Sequence, residues 1–426
     1  MPSWLTRYFS SESDSEAEKG KFYYGWVVLA ACLVISITNA GIRFSFGVFF
    51  KSLEEDFGWT RAVTSGVFSV TALLSCIFAI IGGWVLDRYG SRVIFTIMGC
   101  FTAVGMLLTS QARTLTHFYL SYSLLLAIGT GPGYITIAST VQRWFIKRRG
   151  LAIGIATSGI GLGTIIMTPL ATQLIASYGW RASYLIMSLI VLCFVVPSAQ
   201  LLRQAPSVTT TLPEGKKLKL GKRSTHDGQS HYEPRDYSLL QAAKTRSLWL
   251  FISIWFFYSS CLLTVMAHIV RHGIDLGFTP MQAGSILTVI GGANVVGRLT
   301  MGRVSDSIGR KQASLICALL LAGAMLWLTQ ASSLWTLYLF AIIFGFAYGG
   351  ISPPIGALIG ETFGLKNLGT IMGIIEIGWA SGAAMGPAMA GYMFDITGSY
   401  NYAFLGGMVF MLMAAVLIRF LKVPTS

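Results

Sequence analysis

The sequence predicts an all-α membrane protein with twelve transmembrane helices in two pseudo-symmetric six-helix bundles. Three observations predict this. The 426 residues are 54% hydrophobic and only 11% charged, with a mean hydropathy of +0.65, a composition foreign to water-soluble globular chains of this length. Apolar runs of about 20 residues recur, each long enough to cross a hydrocarbon core of ~30 Å at ~1.5 Å per residue. The second half of the chain also repeats the first at a constant offset, the mark of a duplicated unit.

The twelve spans fall at 24–50, 62–86, 93–109, 118–141, 151–175, 182–202, 247–270, 280–304, 313–330, 334–360, 368–394 and 401–420. Their length and frequent Gly and Pro fit helices, not the short alternating strands of a membrane barrel. Residues 1–23 read as a cytoplasmic N-terminal tail; its stretch "SSESDSEAEKGK" is acidic and polar, with no signal-peptide pattern. Residues 24–202 form the first bundle and 203–246 a cytoplasmic central loop with the basic run "EGKKLKLGKR". Residues 247–420 form the second bundle and 421–426 a C-terminal tail.

A net charge of +14 would suit a nucleic-acid binder, but its distribution argues against one. With both termini on one side, the segments on that side hold 24 Lys and Arg and the opposite loops 5. Such asymmetry places the basic side, and both termini, in the cytoplasm, where anionic lipid is the only partner the charge needs. The six cysteines all fall inside apolar spans and form no CxxC pair, so they read as small packing residues.

The halves align at an offset of 219 residues. Gly58, Trp59 and Thr60 match Gly277, Phe278 and Thr279; Gly83, Asp87 and Gly90 match Gly302, Asp306 and Gly309. Tyr119 matches Tyr338, Gly150 and Gly154 match Gly369 and Gly373, and Gly179 matches Gly398. Both copies therefore have one orientation, and a substrate site is expected between them near the midplane. The loops "GGWVLDRYGSR" and "GRVSDSIGRK" share G-x-x-x-D-x-x-G followed by a basic residue. Gly lets helix ends approach closely, and Asp at a helix end accepts from free N–H groups or pairs with Arg. Asp87, Arg88, Asp306 and Arg310 are thus expected to form a cytoplasmic gate, or else a static topology anchor.

One pair breaks the repeat. Arg298 and Asn294 in span eight correspond to Ala79 and Ser75 in the first half. Arg298 lies eight residues before Asp306, about 12 Å inside the helix end, too deep for easy snorkelling. An intramembrane charge is by default a functional candidate. Arg298 can grip a carboxylate through two parallel hydrogen bonds, or pair structurally across helices. Asn294, at i−4, shares its face and can orient it.

These motifs, with the twelve spans and the long central loop, resemble the major facilitator superfamily over the whole chain. More narrowly, "FGVFFKSLEEDFGW", "HIVRHGIDLGFTP" and "NVVGR" resemble the monocarboxylate porters and their oxalate–formate antiporter relatives. The resemblance implies that Arg298 binds a substrate carboxylate. The animal lactate carriers have an Asp, implicated in proton coupling, where this chain has Asn294, and a functional Lys that aligns with Phe44; Arg43 is its neighbour, rotated ~100° around the helix. The oxalate exchangers use a second cation in span eleven, where this chain has none and carries Glu376 instead. One central cation therefore suits a monocarboxylate.

Tyr119 is a candidate phenol donor to substrate, although its twin Tyr338 favours a structural role. Tyr348 and Trp379 are candidate cavity aromatics, with ordinary packing as the alternative. His268 and Glu376 are candidate proton carriers, with static hydrogen bonding or pairing as the alternative. Pro132, Pro169, Pro353, Pro354 and Pro387 should bend helices, and "GIGLG" and "GAAMGP" should permit close helix contact. No phosphate-binding loop, catalytic set or metal-ligand spacing is present, so no enzyme activity and no cofactor is implied. The expected protein is a monomeric, multi-pass carrier in the cell membrane that moves lactate- or pyruvate-like anions with a proton. A carboxylate exchanger or metabolite exporter is the alternative within this fold, and a non-transporting sensor the alternative outside it.

Overall fold

The computed structural model describes residues 23–146, 148–203 and 236–421. The expected N-terminal tail up to residue 22, residues 204–235 of the central loop with its basic run, and the tail 422–426 lie outside the described residues. Twelve crossings follow one another. They are α1 (Gly25–Phe57), α2 (Arg61–Tyr89), α3 (Ser91–Ser110) and the broken α4 running from Leu115 to Trp144. Next come α5 and α6, the two limbs of Arg149–Gln200, then α7 (Arg246–Asp275), α8 (Pro280–Ile308) and α9 (Arg310–Leu328). The last are α10 (Leu334–Phe363), α11 (Leu368–Thr397) and α12 (Asn401–Phe420).

Two crossings are less obvious from hydropathy. Arg149–Gln200 is 52 residues long, about 78 Å, more than twice a bilayer core. It bends at Gly179, whose φ of 79° is left-handed and favours glycine, so α5 and α6 meet without an intervening loop. Helix α8 has the length to cross but lacks the hydropathy of the ten helices that qualify on composition, because it carries Asn294, Arg298, Thr300 and Arg303. Several helices outrun the expected spans; α1 continues to Phe57, where Gly58 caps it in the left-handed region.

The duplication is visible in the backbone. Among the described residues six of the seven left-handed glycines pair at the 219-residue offset, Gly58 with Gly277, Gly90 with Gly309 and Gly179 with Gly398, and Gly364 alone has no twin. Packing repeats as well: α1 lies on α5 as α7 lies on α11, and α3 lies on α6 as α9 lies on α12. One apolar core draws on residues from Val28 to Leu202. The other draws on Ala242 to Leu421 and takes in only Ala79, Ile135, Ala138 and Ile153 from the first half. These are two six-helix bundles, each with its own interior.

The bundles meet through α2 against α11 and α5 against α8, and glycine makes the contact possible. A Cβ on Gly83 would collide with the carbonyl of Gly369, and one on Gly302 would lie 2.6 Å from the carbonyl of Gly150. Within the bundles the two glycine-rich stretches do what their composition suggests. Gly159 and Gly163 admit the backbone of α1 at Ser36 and Ile37, and Gly382 and Gly386 admit α7 at Phe256 and Ser260.

Gly83→Val should therefore force α2 from α11, at an overpacking cost of roughly 1–3 kcal/mol. Gly302→Val should do the same between α8 and α5, while Gly391→Val, which faces open space, serves as the control. Thermal unfolding in detergent checks this: the first two variants should melt below wild type and the control with it.

Candidate functional site

Two structures matter for function: a closed end and a buried polar centre above it. At the closed end, each motif aspartate caps a helix of the other bundle. Asp87 of α2 accepts from the backbone N–H of Gly369 (3.0 Å) and Thr370 (2.7 Å) and from the Thr370 hydroxyl (2.7 Å) at the start of α11. Asp306 of α8 accepts from the N–H of Gly150 (3.1 Å) and Leu151 (3.0 Å) at the start of α5. The carboxylates sit where free donors and the positive helix end both favour them. Arg310 pairs with Asp306 and also reaches Glu361 at 3.1 Å.

Arg88 does not take part. It is exposed and lies over the rings of Trp84 and Tyr89, at 5.4 and 5.7 Å. Arg143 of α4 pairs with Asp87 instead, at 2.5 Å. The reason is helical phase: Arg88 follows Asp87 directly and so points ~100° away from the bundle interface.

The polar centre is built on α8. Arg298 is 3% exposed. Its Nε donates to Asn294 Oδ1 at 3.0 Å and its Nη1 to the Ser352 hydroxyl of α10 at 3.0 Å. Among the described residues no acid pairs with it and no hydrogen bond ends on Nη2. The Asn294 amide nitrogen is also buried without a partner. The i−4 spacing thus does orient the guanidinium, and the small residues of α10 let it approach: a Cβ on Gly349 would collide with the Asn294 backbone.

Aromatic rings enclose this centre. The Tyr348 ring lies 6.0 Å from the guanidinium carbon. Trp379 packs against Trp255 and Tyr258 with centroids at 5.9 and 5.7 Å, and Tyr258 donates to the Tyr348 carbonyl at 2.9 Å. Tyr134, from the first bundle, donates to the Ser352 carbonyl at 3.2 Å and meets Trp255 edge-on at 6.0 Å. Tyr134, Trp255, Tyr258 and Ser352 were not singled out by the sequence reading. Their signal is the one that exposes Arg298: at the 219-residue offset they face Pro353, Ser36, Asn39 and Gly133, so each breaks the repeat.

Other expected residues lie elsewhere. Tyr119 begins a π-helical turn, Tyr119–Leu125, and its hydroxyl reaches α2 at Gly66, where a Cβ would be 3.0 Å away. Its twin Tyr338 bonds the hydroxyl of Ser285, the residue matching Gly66, at 2.7 Å. Both tyrosines therefore brace equivalent helix pairs, and Tyr119 is not part of the group round Arg298. His268 contacts the Pro387 carbonyl at 3.1 Å and the Tyr400 ring at 5.1 Å, toward the far end of α7. Glu376 of α11 and Arg43 of α1 are half-buried in opposite bundles, and among the described residues they form no ion pair within 4 Å. Position 44, where the lactate carriers' Lys aligns, points away: Phe44 is 48% exposed, and Arg43 takes the inward direction.

Two bundles related by an internal repeat, joined at one end by reciprocal caps around a central polar group, have the architecture of membrane transporters built from repeats. The comparisons with known proteins agree. The sequence profile of the Major Facilitator Superfamily matches residues 32–298 and 272–426, and the chain belongs to that superfamily. Its curated relatives include monocarboxylate transporter 13 of Rattus norvegicus, 29% identical over 91% of this chain and 87% of the relative. Monocarboxylate transporter 12 of Xenopus laevis is 24% identical over 94% and 89%. Among solved structures, the E. coli fucose:proton symporter FucP superposes with a TM-score of 0.73 at 15% identity, over 94% of this chain and 99% of that one. The proton:xylose symporter XylE also scores 0.73, at 13% identity over 94% and 96%.

Asp87→Asn and Asp306→Asn should each weaken the closed end by the ~1.5–3 kcal/mol of charged hydrogen bonds. Uptake should slow by tenfold or so while substrate affinity in detergent stays near wild type. A loss of affinity equal to that of an Arg298 variant would place these aspartates in the binding site.

Proposed function

We propose that this protein is a secondary transporter of small monocarboxylates, lactate- or pyruvate-like, coupled to protons and working by alternating access in the cell membrane. The termini and the closed end face the cytoplasm on this reading, as the concentration of Lys and Arg there favours. The monomer is the working unit.

One observation carries the proposal: among the described residues Arg298 is a buried cation with no acid paired to it, beside a second unmatched donor, the Asn294 amide. Leaving such a charge alone in the membrane interior costs roughly 2.5–3.5 kcal/mol even on insertion scales. A carboxylate supplies what is missing, a negative charge and acceptors for both donors. The apolar walls of Tyr348, Trp255, Tyr258 and Trp379 suit a short organic chain and lower the local dielectric, which strengthens the ion pair. The similarity to monocarboxylate transporters 12 and 13 supports the same substrate class.

Arg298→Ala should abolish uptake of labelled lactate and pyruvate into proteoliposomes while insertion and melting temperature are retained. Arg298→Lys should keep charge but lose the two-point grip, weakening binding by roughly 1.5–3 kcal/mol. Near-normal uptake by the Ala variant ends the proposal.

The proton needs a carrier other than span eight, since Asn294 does not titrate. His268 and Glu376 are the candidates. Uptake should rise as outside pH falls and collapse with an uncoupler. A coupling residue, replaced by Gln, should lose pH-driven accumulation and keep substrate counterflow. Wild-type uptake indifferent to pH would leave carboxylate exchange or facilitated diffusion in place of symport.

A further inference from the structure

Among the described residues six helix starts are closed by a Ser or Thr side chain of their own. Thr60, Thr114, Ser238, Thr245, Thr279 and Ser333 each accept from a backbone N–H of the first turn. All six have extended backbone, with ψ from 142° to 160°. The two helices that the motif aspartates cap are built differently. The residue before α5 is Arg148, a side chain type without an acceptor. The residue before α11 is Asn367, by type as good a cap as Ser, yet it makes no bond to its own helix. These two are twins at the 219-residue offset and share one backbone conformation, φ −116° and ψ 41° against φ −114° and ψ 26°. The N–H groups that an Asn367 cap would take, those of Gly369 and Thr370, go to Asp87 instead.

A strap holds Asn367 away from its helix. The Asn367 Nδ2 donates to the Tyr237 carbonyl at 2.8 Å, in the segment that leads into α7. Beside it, Asp236 accepts from the N–H of Leu365 and Lys366. The Tyr237 N–H donates to the Phe363 carbonyl at 3.0 Å, and the Tyr237 ring meets the Phe363 ring edge-on at 5.8 Å. Gly364, with φ at 82°, turns the chain between these anchors. The strap belongs to the second bundle, since these partners lie there and Ala242, in the short helix Leu239–Ala243, is buried in that core. It therefore stays on the turn when the bundles part. In the first bundle Tyr23, just before α1, donates to the carbonyl of Trp144, the twin of Phe363. No cap needs restraining there, because Arg148 cannot supply one.

We propose that α5 and α11 are denied caps of their own so that only the opposite bundle's aspartate closes them, and that the Asp236–Tyr237 strap is the positioning element that keeps Asn367 from capping α11. The inference rests on the two aspartates as a latch that opens and closes. A helix start that caps itself has its first N–H groups satisfied in either state, and the aspartate then adds little. Left uncapped, the same groups lose their partner whenever the bundles part. Water replaces it less well than a carboxylate at the positive end of the helix. The absence of a cis cap thus makes closure of this end depend on the trans contact. For Asn367 to cap α11, its backbone would have to swing to the extended conformation of the six self-capping residues. The bonds at Asp236 and Tyr237 hold the turn out of that conformation.

Thermal unfolding of the purified full chain in detergent tests this without substrate. Arg148→Ser and Asn367→Ser supply a side chain that can cap in cis, whereas Arg148→Ala and Asn367→Ala do not. Asp87→Asn should lower the melting temperature about twice as far in the Asn367→Ala background as in Asn367→Ser, because the self-capped helix start has an alternative to the aspartate. Asp306→Asn should behave likewise with Arg148→Ala against Arg148→Ser. Asp236→Ala should shrink the Asp87→Asn shift while Asn367 is present and leave it unchanged in Asn367→Ala, since the strap acts through that one side chain. Asp236→Asn, which keeps an accepting oxygen, should match wild type. Equal Asp87→Asn shifts in the Ser and Ala backgrounds overturn the inference, as does an Asp236→Ala effect that persists without Asn367. An Asp87→Asn variant that melts with wild type removes the latch and the inference together. Wild type that takes up no carboxylate counts against the transport reading, while the melting comparison stands on its own.

Discussion

The contact on which the rest depends is the carboxylate of one bundle capping a helix of the other. Asp87 holds the start of α11 and Asp306 the start of α5. Each cap satisfies helix-end donors that would otherwise be orphaned, and each joins the halves at the same end. Around the caps, glycine on both sides brings backbones together: Gly83 with Gly369, Gly302 with Gly150. The close packing continues inward until a Cβ on Gly154 would meet the Arg298 carbonyl. The latch therefore forms the floor of the polar centre. The end of the central loop braces it from outside, since Asp236 accepts from Leu365 and Lys366 at 3.1 and 3.2 Å, in the turn just before α11.

Symmetry and chemistry divide cleanly in this chain. What the halves share is scaffold: the turn glycines, the capping aspartates, the bracing tyrosines. What they do not share gathers between them. Arg298 faces Ala79 at the repeat offset, Asn294 faces Ser75, Arg43 faces Leu262 and Glu376 faces Thr157. A duplicated bundle supplies two copies of every structural solution, but residues placed between the bundles need not repeat and can be asymmetric. Charges can therefore be placed there without disturbing the packing that the repeat preserves.

Much of this was legible in the sequence, because membrane insertion leaves a strong signal. Length and apolarity located the spans, and the 219-residue offset located the turns and both capping aspartates. Arg298 stood out because a guanidinium in an apolar helix is costly. The choice of Arg143 over Arg88 was not legible, since it depends on which helix stands opposite Asp87 and sequence proximity favours the wrong residue. The aromatic walls were hidden for a different reason: rings make up 13% of the chain, and most of them serve ordinary packing. Trp255 and Tyr258 look like any apolar positions of α7 until the fold brings them to Tyr348 and Trp379.

The balance of charge at the centre bears on how a carrier avoids moving empty. Under the transport reading, Arg298 is unpaired before substrate arrives, and sealing the far end over it would strip away its remaining solvation. That penalty rises as water leaves, because the interaction of a charge with its surroundings scales inversely with dielectric. A bound carboxylate turns the same dehydration into a gain, since the ion pair strengthens as water is excluded. The empty site thus resists occlusion and the loaded site favours it, with no dedicated sensor.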